Sequence, residues 1–317
     1  MNEGIDRSRI PGLISAVLSP FFIALGVMVA KKAGHSGAAP FIITAGSALI
    51  SLPFLLCMQN PRRTKADLAI LFGTMRRPFL QLLLSRSLIG SAMVVVGFTM
   101  TTAIKSVLLL RVEALFVFFW SVYFKKEKAS ISKILLLLAL VLGSVMVVMS
   151  SGSAVLSPAL AAQEGLNWGD GLIVMALLFL SYSYIPTEEL VSAVSPTSVN
   201  ITANAVSGAF ILVAMLIASP HDVFSLSHQA LKYITEYALT FSVVGVNLYY
   251  FAFKTIKPWI VASFLSLEVI YGVPLAWYMH GETLDLLQTL GAGLVMAATA
   301  GIGLLGARAS KRAAAHG

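Results

Sequence analysis

The chain has 317 residues, of which 58% are hydrophobic and only 11% charged. Soluble domains run at about 45–50% apolar and ~25% charged, so this composition excludes a water-soluble enzyme, a nucleic-acid module and a disordered scaffold. The formal net charge of +8 then reads as Lys and Arg retained on one side of a membrane, not as a nucleic-acid footprint.

Taken in chain order, apolar stretches of about 20 residues, each long enough to cross a bilayer, predict spans at Ile10–Ala30, Pro40–Met58, Phe79–Thr99, Ala103–Phe124 and Ile131–Met149. A Gly/Ser/Ala segment without Lys or Arg follows, from Ser150 to Asn167. The second set is predicted at Trp168–Pro186, Val199–Ala218, Ala230–Phe253, Trp259–Met279 and Leu286–Ala307. The first run lacks a small-residue cleavage site and reads as a retained span, not a signal peptide.

With the N-terminus inside, the inner side holds 16 basic residues. They are Arg7, Arg9, Arg62, Arg63, Lys65, Arg76, Arg77, Lys125, Lys126, Lys128, Lys133, Lys254, Lys257, Arg308, Lys311 and Arg312. The outer side holds 4, namely Lys31, Lys32, Lys105 and Lys232. This bias puts both termini in the cytoplasm and requires an even number of crossings.

Shifting the sequence by 155 residues superposes Gly90 on Gly245, Phe98 on Phe253, Glu113 on Glu268 and Glu127 on Glu282. Two copies of five spans follow, and because five is odd the second copy is inverted. The expected fold is an all-α integral membrane protein of ten transmembrane helices in two inverted repeats. The expected organisation is residues 1–150 as the first repeat, 151–167 as an extracytoplasmic linker, 168–307 as the second repeat and 308–317 as a basic tail.

The stretch from Ala103 to Val147, with its small residues, glutamate corner and closing Glu127, resembles the end of an EamA repeat of the drug/metabolite transporter superfamily. Leu267-Glu268-Val269, Gly281-Glu282 and the Gly-rich last helix look like the same motif again. Ala114 and Val269 stand where the family commonly has proline after the glutamate. The resemblance implies a carrier of small metabolites, often outward, in a prokaryotic plasma (inner) membrane. It implies a small-molecule substrate, a coupling proton or counter-substrate, and surrounding lipid. No cofactor, metal or nucleic acid is expected, and the chain is expected to be a monomer or weak dimer.

A charge at the bilayer centre costs at least ~2.5–3.5 kcal/mol, so intramembrane ionisable residues are site candidates. Glu113 and Glu268 lie roughly 15 and 14 Å into their spans by helical rise. They are read as binding an amine or taking up a proton, with a structural lock as the alternative. Arg86, at similar depth on the neighbouring span, is expected either to pair with Glu113 or to clamp a carboxylate or phosphate. Arg111 is turned about 200° from Glu113 and is expected to pack against another helix or snorkel, as is Lys105. Asn200, Asn204 and Ser207 share one helical face and are read as lining a polar path. Tyr271 and Trp120 are candidates for hydrogen bonding and stacking, while Glu127 and Glu282 are read as helix-ending structural residues.

The five Asp residues and all five His fall in loops or at span ends. No carboxylate cluster, Ser/His pair at one depth or Walker-type loop is present, which argues against an intramembrane enzyme or an ATP-driven pump. The residues favour a secondary carrier of a zwitterionic or anionic metabolite, such as an amino acid. A passive channel is the alternative.

Overall fold

A computed structural model describes residues 10–125, 130–149, 167–255, 261, 264, 265 and 267–315. The 151–166 part of the linker and Glu127 lie outside these. Every element among the described residues is helical. We number them α1 (Ile10–His35), α2 (Pro40–Cys57), α3 (Pro61–Phe72), α4 (Arg76–Met100), α5 (Ala103–Phe124) and α6 (Ile131–Met149). The second half comprises α7 (Trp168–Ala193), α8 (Pro196–Ala218), α9 (Pro220–Phe224), α10 (228–255), α11 (Leu267–His280) and α12 (Leu286–Ala315).

Six of these helices are long and apolar enough to cross a membrane: α1, α2, α4, α5, α7 and α8. The apolar stretches Ile131–Met146 and Leu286–Gly301 add two shorter ones. Helices α10 and α11 fill the eighth and ninth positions. Helix α10 opens on the amphipathic segment His228–Tyr237, which dilutes its apolar run. The ends are set by local chemistry. Proline stands at the first turn of α2, α3, α8 and α9, where its missing N–H is not needed. Asn60, Thr102, Asn167, Ser195 and Ser227 each cap the following helix through a side-chain oxygen.

Several boundaries differ from the sequence reading. The connection after the second span folds into helix α3, whose Thr64, Asp67 and Leu71 are buried. Helix α7 passes through Pro186 to Ala193, with a turn at Ser183. Helix α12 continues through Arg308 to Ala315, where a separate tail was expected.

The two halves pack as a pseudo-symmetric pair. Across the halves α2 lies on α8, α4 on α7, α1 on α10 and α11, and α6 on α12. Small residues permit the closest approaches. A Cβ on Gly97 of α4 would lie 2.5 Å from Ile173 Cγ1 and 2.9 Å from the Gly169 carbonyl of α7. Another on Gly143 of α6 would lie 2.7 Å from the Gly291 carbonyl of α12.

The repeat shows most clearly in two π-helical segments, Leu83–Gly90 in α4 and Ala238–Gly245 in α10. Their first and last residues are separated by the same 155-residue offset that the glycine and glutamate matches gave. A π segment disturbs the carbonyl ladder, and side chains satisfy the result. Ser91 Oγ donates to the Arg86 carbonyl at 2.8 Å and Asn200 Nδ2 to the Ser242 carbonyl at 2.8 Å. Ser19 Oγ, next to Pro20 in α1, donates to the Gly245 carbonyl at 2.9 Å.

Candidate functional site

Both π segments face one cavity between the repeats, enclosing about 980 Å³ including its mouth. Arg86, Ser87 and Ser91 enter from α4, and Phe241, Ser242, Val246, Tyr249 and Tyr250 from α10. Glu113 and Arg111 come from α5, Tyr184 from α7, Asn200, Asn204 and Ser207 from α8, and Glu268 from α11. Thr44 and Ser47 of α2 complete a polar wall, while Val94, Val95, Phe98 and Leu110 form an apolar one.

Each glutamate stands at a break in its helix. Helix α5 runs as α-helix to Leu109, tightens to a 3₁₀ turn over Leu110–Val112, and resumes at Glu113. In the second repeat Leu265 is in a turn and α11 starts at Leu267. Both glutamates therefore sit in the first turn of a half-helix, where the helix dipole favours a carboxylate. Ala114 and Val269 follow the glutamates, so neither break depends on a proline there.

The two glutamates have different surroundings. Glu268 is buried and forms an ion pair with Arg111 across the repeat boundary. This corrects the expectation that Arg111 packs elsewhere or snorkels: it is 4% exposed and holds the partner repeat's glutamate. Arg111 Nε and Glu268 Oε1 have no hydrogen-bond partners among the described residues. Glu113 is half-buried, and no salt bridge joins it to a cation among the described residues.

Arg86, expected either to pair with Glu113 or to clamp an anion, lies within electrostatic reach of Glu113 and lays its guanidinium over the Tyr249 ring at 4.5 Å and beside Tyr250 at 5.7 Å. Such stacking holds the cation in place on the cavity wall. Tyr184 packs edge-on against Tyr249 with centroids 5.8 Å apart, and the two hydroxyls lie near each other and near Glu113, with no hydrogen bond of good geometry among the described residues. One guanidinium, one carboxylate and two phenols are thus grouped on the cavity wall.

Asn200 and Asn204 reach the cavity and also tie helices together. Asn204 Nδ2 donates to Ser51 Oγ of α2 at 3.0 Å and to Asn200 Oδ1 at 3.2 Å. Tyr271 and Trp120 are not brought to the cavity. Tyr271 meets Phe21 edge-on at 5.6 Å, and Trp120 Nε1 donates to the Leu178 carbonyl at 3.2 Å and Ser181 Oγ at 3.1 Å. Sequence reasoning missed Tyr249 and Tyr237, both cavity residues, because an aromatic in a membrane helix carries no signal separating belt, core and site.

Buried polar clusters close the seam between repeats at both ends. Where α1 finishes, Glu282 accepts from the Ala103 and Ile104 amides at 2.8 Å each and pairs with Lys31 Nζ at 3.2 Å. Lys31 Nζ also donates to the Thr101 carbonyl at 2.7 Å. Asp170 accepts from Thr101 Oγ1 at 2.5 Å and lies 3.9 Å from Lys105 Nζ. Lys31 and Lys105 are therefore internal, which corrects their placement in an outer loop and at the interface. At the opposite end Asp67 Oδ2 accepts from Ser195 N at 3.2 Å and Ser198 Oγ at 2.7 Å, and Gln59 bonds both serines.

Two inverted helical repeats, broken helices carrying carboxylates and a polar cavity between the halves are the architecture of a membrane transporter. The sequence profile of the EamA-like transporter family matches residues 10–149 and again 167–304, and the chain belongs to that family. A solved structure titled "Crystal structure of protein" superposes with a TM-score of 0.61 at 14% identity, covering 92% of this chain and 96% of that one, and shows the fold alone. No curated protein matches the sequence.

Proposed function

We propose that the protein is a secondary carrier of a small zwitterionic metabolite, an amino acid or a close relative, working by alternating access and exporting it across a plasma (inner) membrane. Both termini lie in the cytoplasm in this reading, as the basic-residue bias requires. The observation that carries it is the pair Arg86 and Glu113. They are opposite charges on one cavity wall, within electrostatic reach of each other, and neither forms a salt bridge among the described residues. Because Arg111 and Glu268 neutralise one another, the charges left for a ligand sum to zero. Arg86 matches a carboxylate bidentately, Glu113 matches an ammonium, and the Tyr184 and Tyr249 hydroxyls supply further hydrogen bonds.

Rocking of the halves is supported by the placement of the π segments, which give each repeat a weakened helix beside the site. The two polar clusters then act as alternating closures, one at each end of the seam. The reading is tested by protection of the purified protein against thermal unfolding. A pooled amino-acid mixture is compared with the same compounds lacking the carboxylate, and again lacking the amine. Protection by the zwitterions alone is expected. Equal protection by decarboxylated amines removes Arg86 from the site, and equal protection by deaminated acids removes Glu113.

A further inference from the structure

The short helix α3 joins two spans at the basic end of the bundle, and its faces are chemically distinct. At about 100° per residue, Thr64, Asp67 and Leu71 share the side turned to the protein, and all three are buried. Arg62, Arg63 and Lys65 are exposed, as are Arg76 and Arg77 at the start of α4. On the flank beside Lys65 lies Phe72, 52% exposed, and nearby at the start of α4 is Leu80, 42% exposed. Cations beside exposed apolar side chains at the foot of a membrane span match the boundary between headgroups and acyl chains.

We infer that α3 and the first turn of α4 form a binding surface for anionic phospholipid headgroups, linked through Asp67 to the seam between the repeats. The apolar flank selects a lipid over a soluble phosphate, which has nothing to place against Phe72 and Leu80. The link is direct. Asp67 accepts from the Ser195 amide and the Ser198 hydroxyl at the N-terminus of α8 in the other repeat. A helix held by headgroups on its outer face keeps Asp67 in place on its inner face. Leaflet charge thereby stabilises this closure.

The test reads binding and stability, not transport, so its failure and the failure of the carrier reading are separable. Full-length protein is titrated with phosphatidylglycerol, phosphatidylcholine or soluble glycerol phosphate and followed by native mass spectrometry and thermal unfolding. Each cation near a negative membrane surface is worth about fivefold in association. R62Q/R63Q/K65Q is therefore expected to bind phosphatidylglycerol on the order of 100-fold more weakly, with unchanged stability in phosphatidylcholine. Ser198→Ala, which removes one donor to Asp67, is expected to bind the lipid normally but lose part of the lipid-dependent rise in unfolding temperature. Undiminished binding by the triple variant, or equal competition by glycerol phosphate, overturns the headgroup site. A full lipid-dependent rise in Ser198→Ala overturns the link to the seam.

Discussion

Glu282 offers the sharpest test of how the seam is held, because two backbone amides support its carboxylate beside the ion pair. It accepts two backbone amides at 2.8 Å and faces Lys31 Nζ at 3.2 Å. At that separation the Coulomb attraction is about 5 kcal/mol for an effective dielectric of roughly 20, before desolvation is subtracted. Glu282→Gln removes the charge, turns an amide N–H₂ toward at least one backbone donor, and leaves the Lys31 ammonium buried against the Thr101 carbonyl. Breaking a buried pair in this way costs about 3–5 kcal/mol. Lys31→Met leaves a carboxylate still held by two N–H groups at the start of α5, where the helix dipole supports it, so its loss is smaller. Reversible unfolding in mixed micelles, run as a double-mutant cycle, measures both terms. Lys31→Met destabilising as much as Glu282→Gln, or a coupling below about 0.5 kcal/mol, refutes this assignment of the contacts.

Further outcomes follow from the same geometry. Arg111→Met strands the Glu268 carboxylate and is expected to destabilise by about 3–5 kcal/mol, with Arg111→Met/Glu268→Gln closer to wild type, as read by thermal unfolding. Asn200→Ala removes the donor to the buried Ser242 carbonyl and is expected to destabilise by about 1–3 kcal/mol, with hydrogen exchange rising around Ala238–Gly245. Gly97→Ala places a methyl 2.5 Å from Ile173 Cγ1 and 2.9 Å from the Gly169 carbonyl. It is expected to cost about 1–3 kcal/mol in unfolding measurements.

The layout of spans was legible because hydrophobic length and basic-residue bias act residue by residue. The 155-residue offset was legible because the features it preserves, Gly90 with Gly245 and Glu113 with Glu268, sit at the π segments and helix breaks. The ion-pair partners were not legible. Arg111 and Glu268 are 157 residues apart, and helical geometry only said that Arg111 does not share a face with Glu113. Lys31 was assigned to a loop because the apolar run ends at Ala30, yet the helix runs on to His35 and a carboxylate from α11's far end waits there. Lys105 stays inside for the same reason, with Asp170 as its neighbour. One signal was present and usable: Asn167 and Asp170 stand three apart at a helix start and form a capping box. That spacing fixes Asp170 at the mouth of α7, where it meets Thr101 and Lys105.

Counterflow in proteoliposomes tests the carrier site most directly. Wild type is preloaded with a pooled amino-acid mixture and challenged with labelled external substrate, alongside Glu113→Gln, Arg86→Met and Trp120→Phe. Saturable exchange is expected in wild type and in Trp120→Phe, whose indole lies outside the cavity, with at least a tenfold loss in the other two. Wild-type exchange in both Glu113→Gln and Arg86→Met, with all variants folded, contradicts a site built on these two charges.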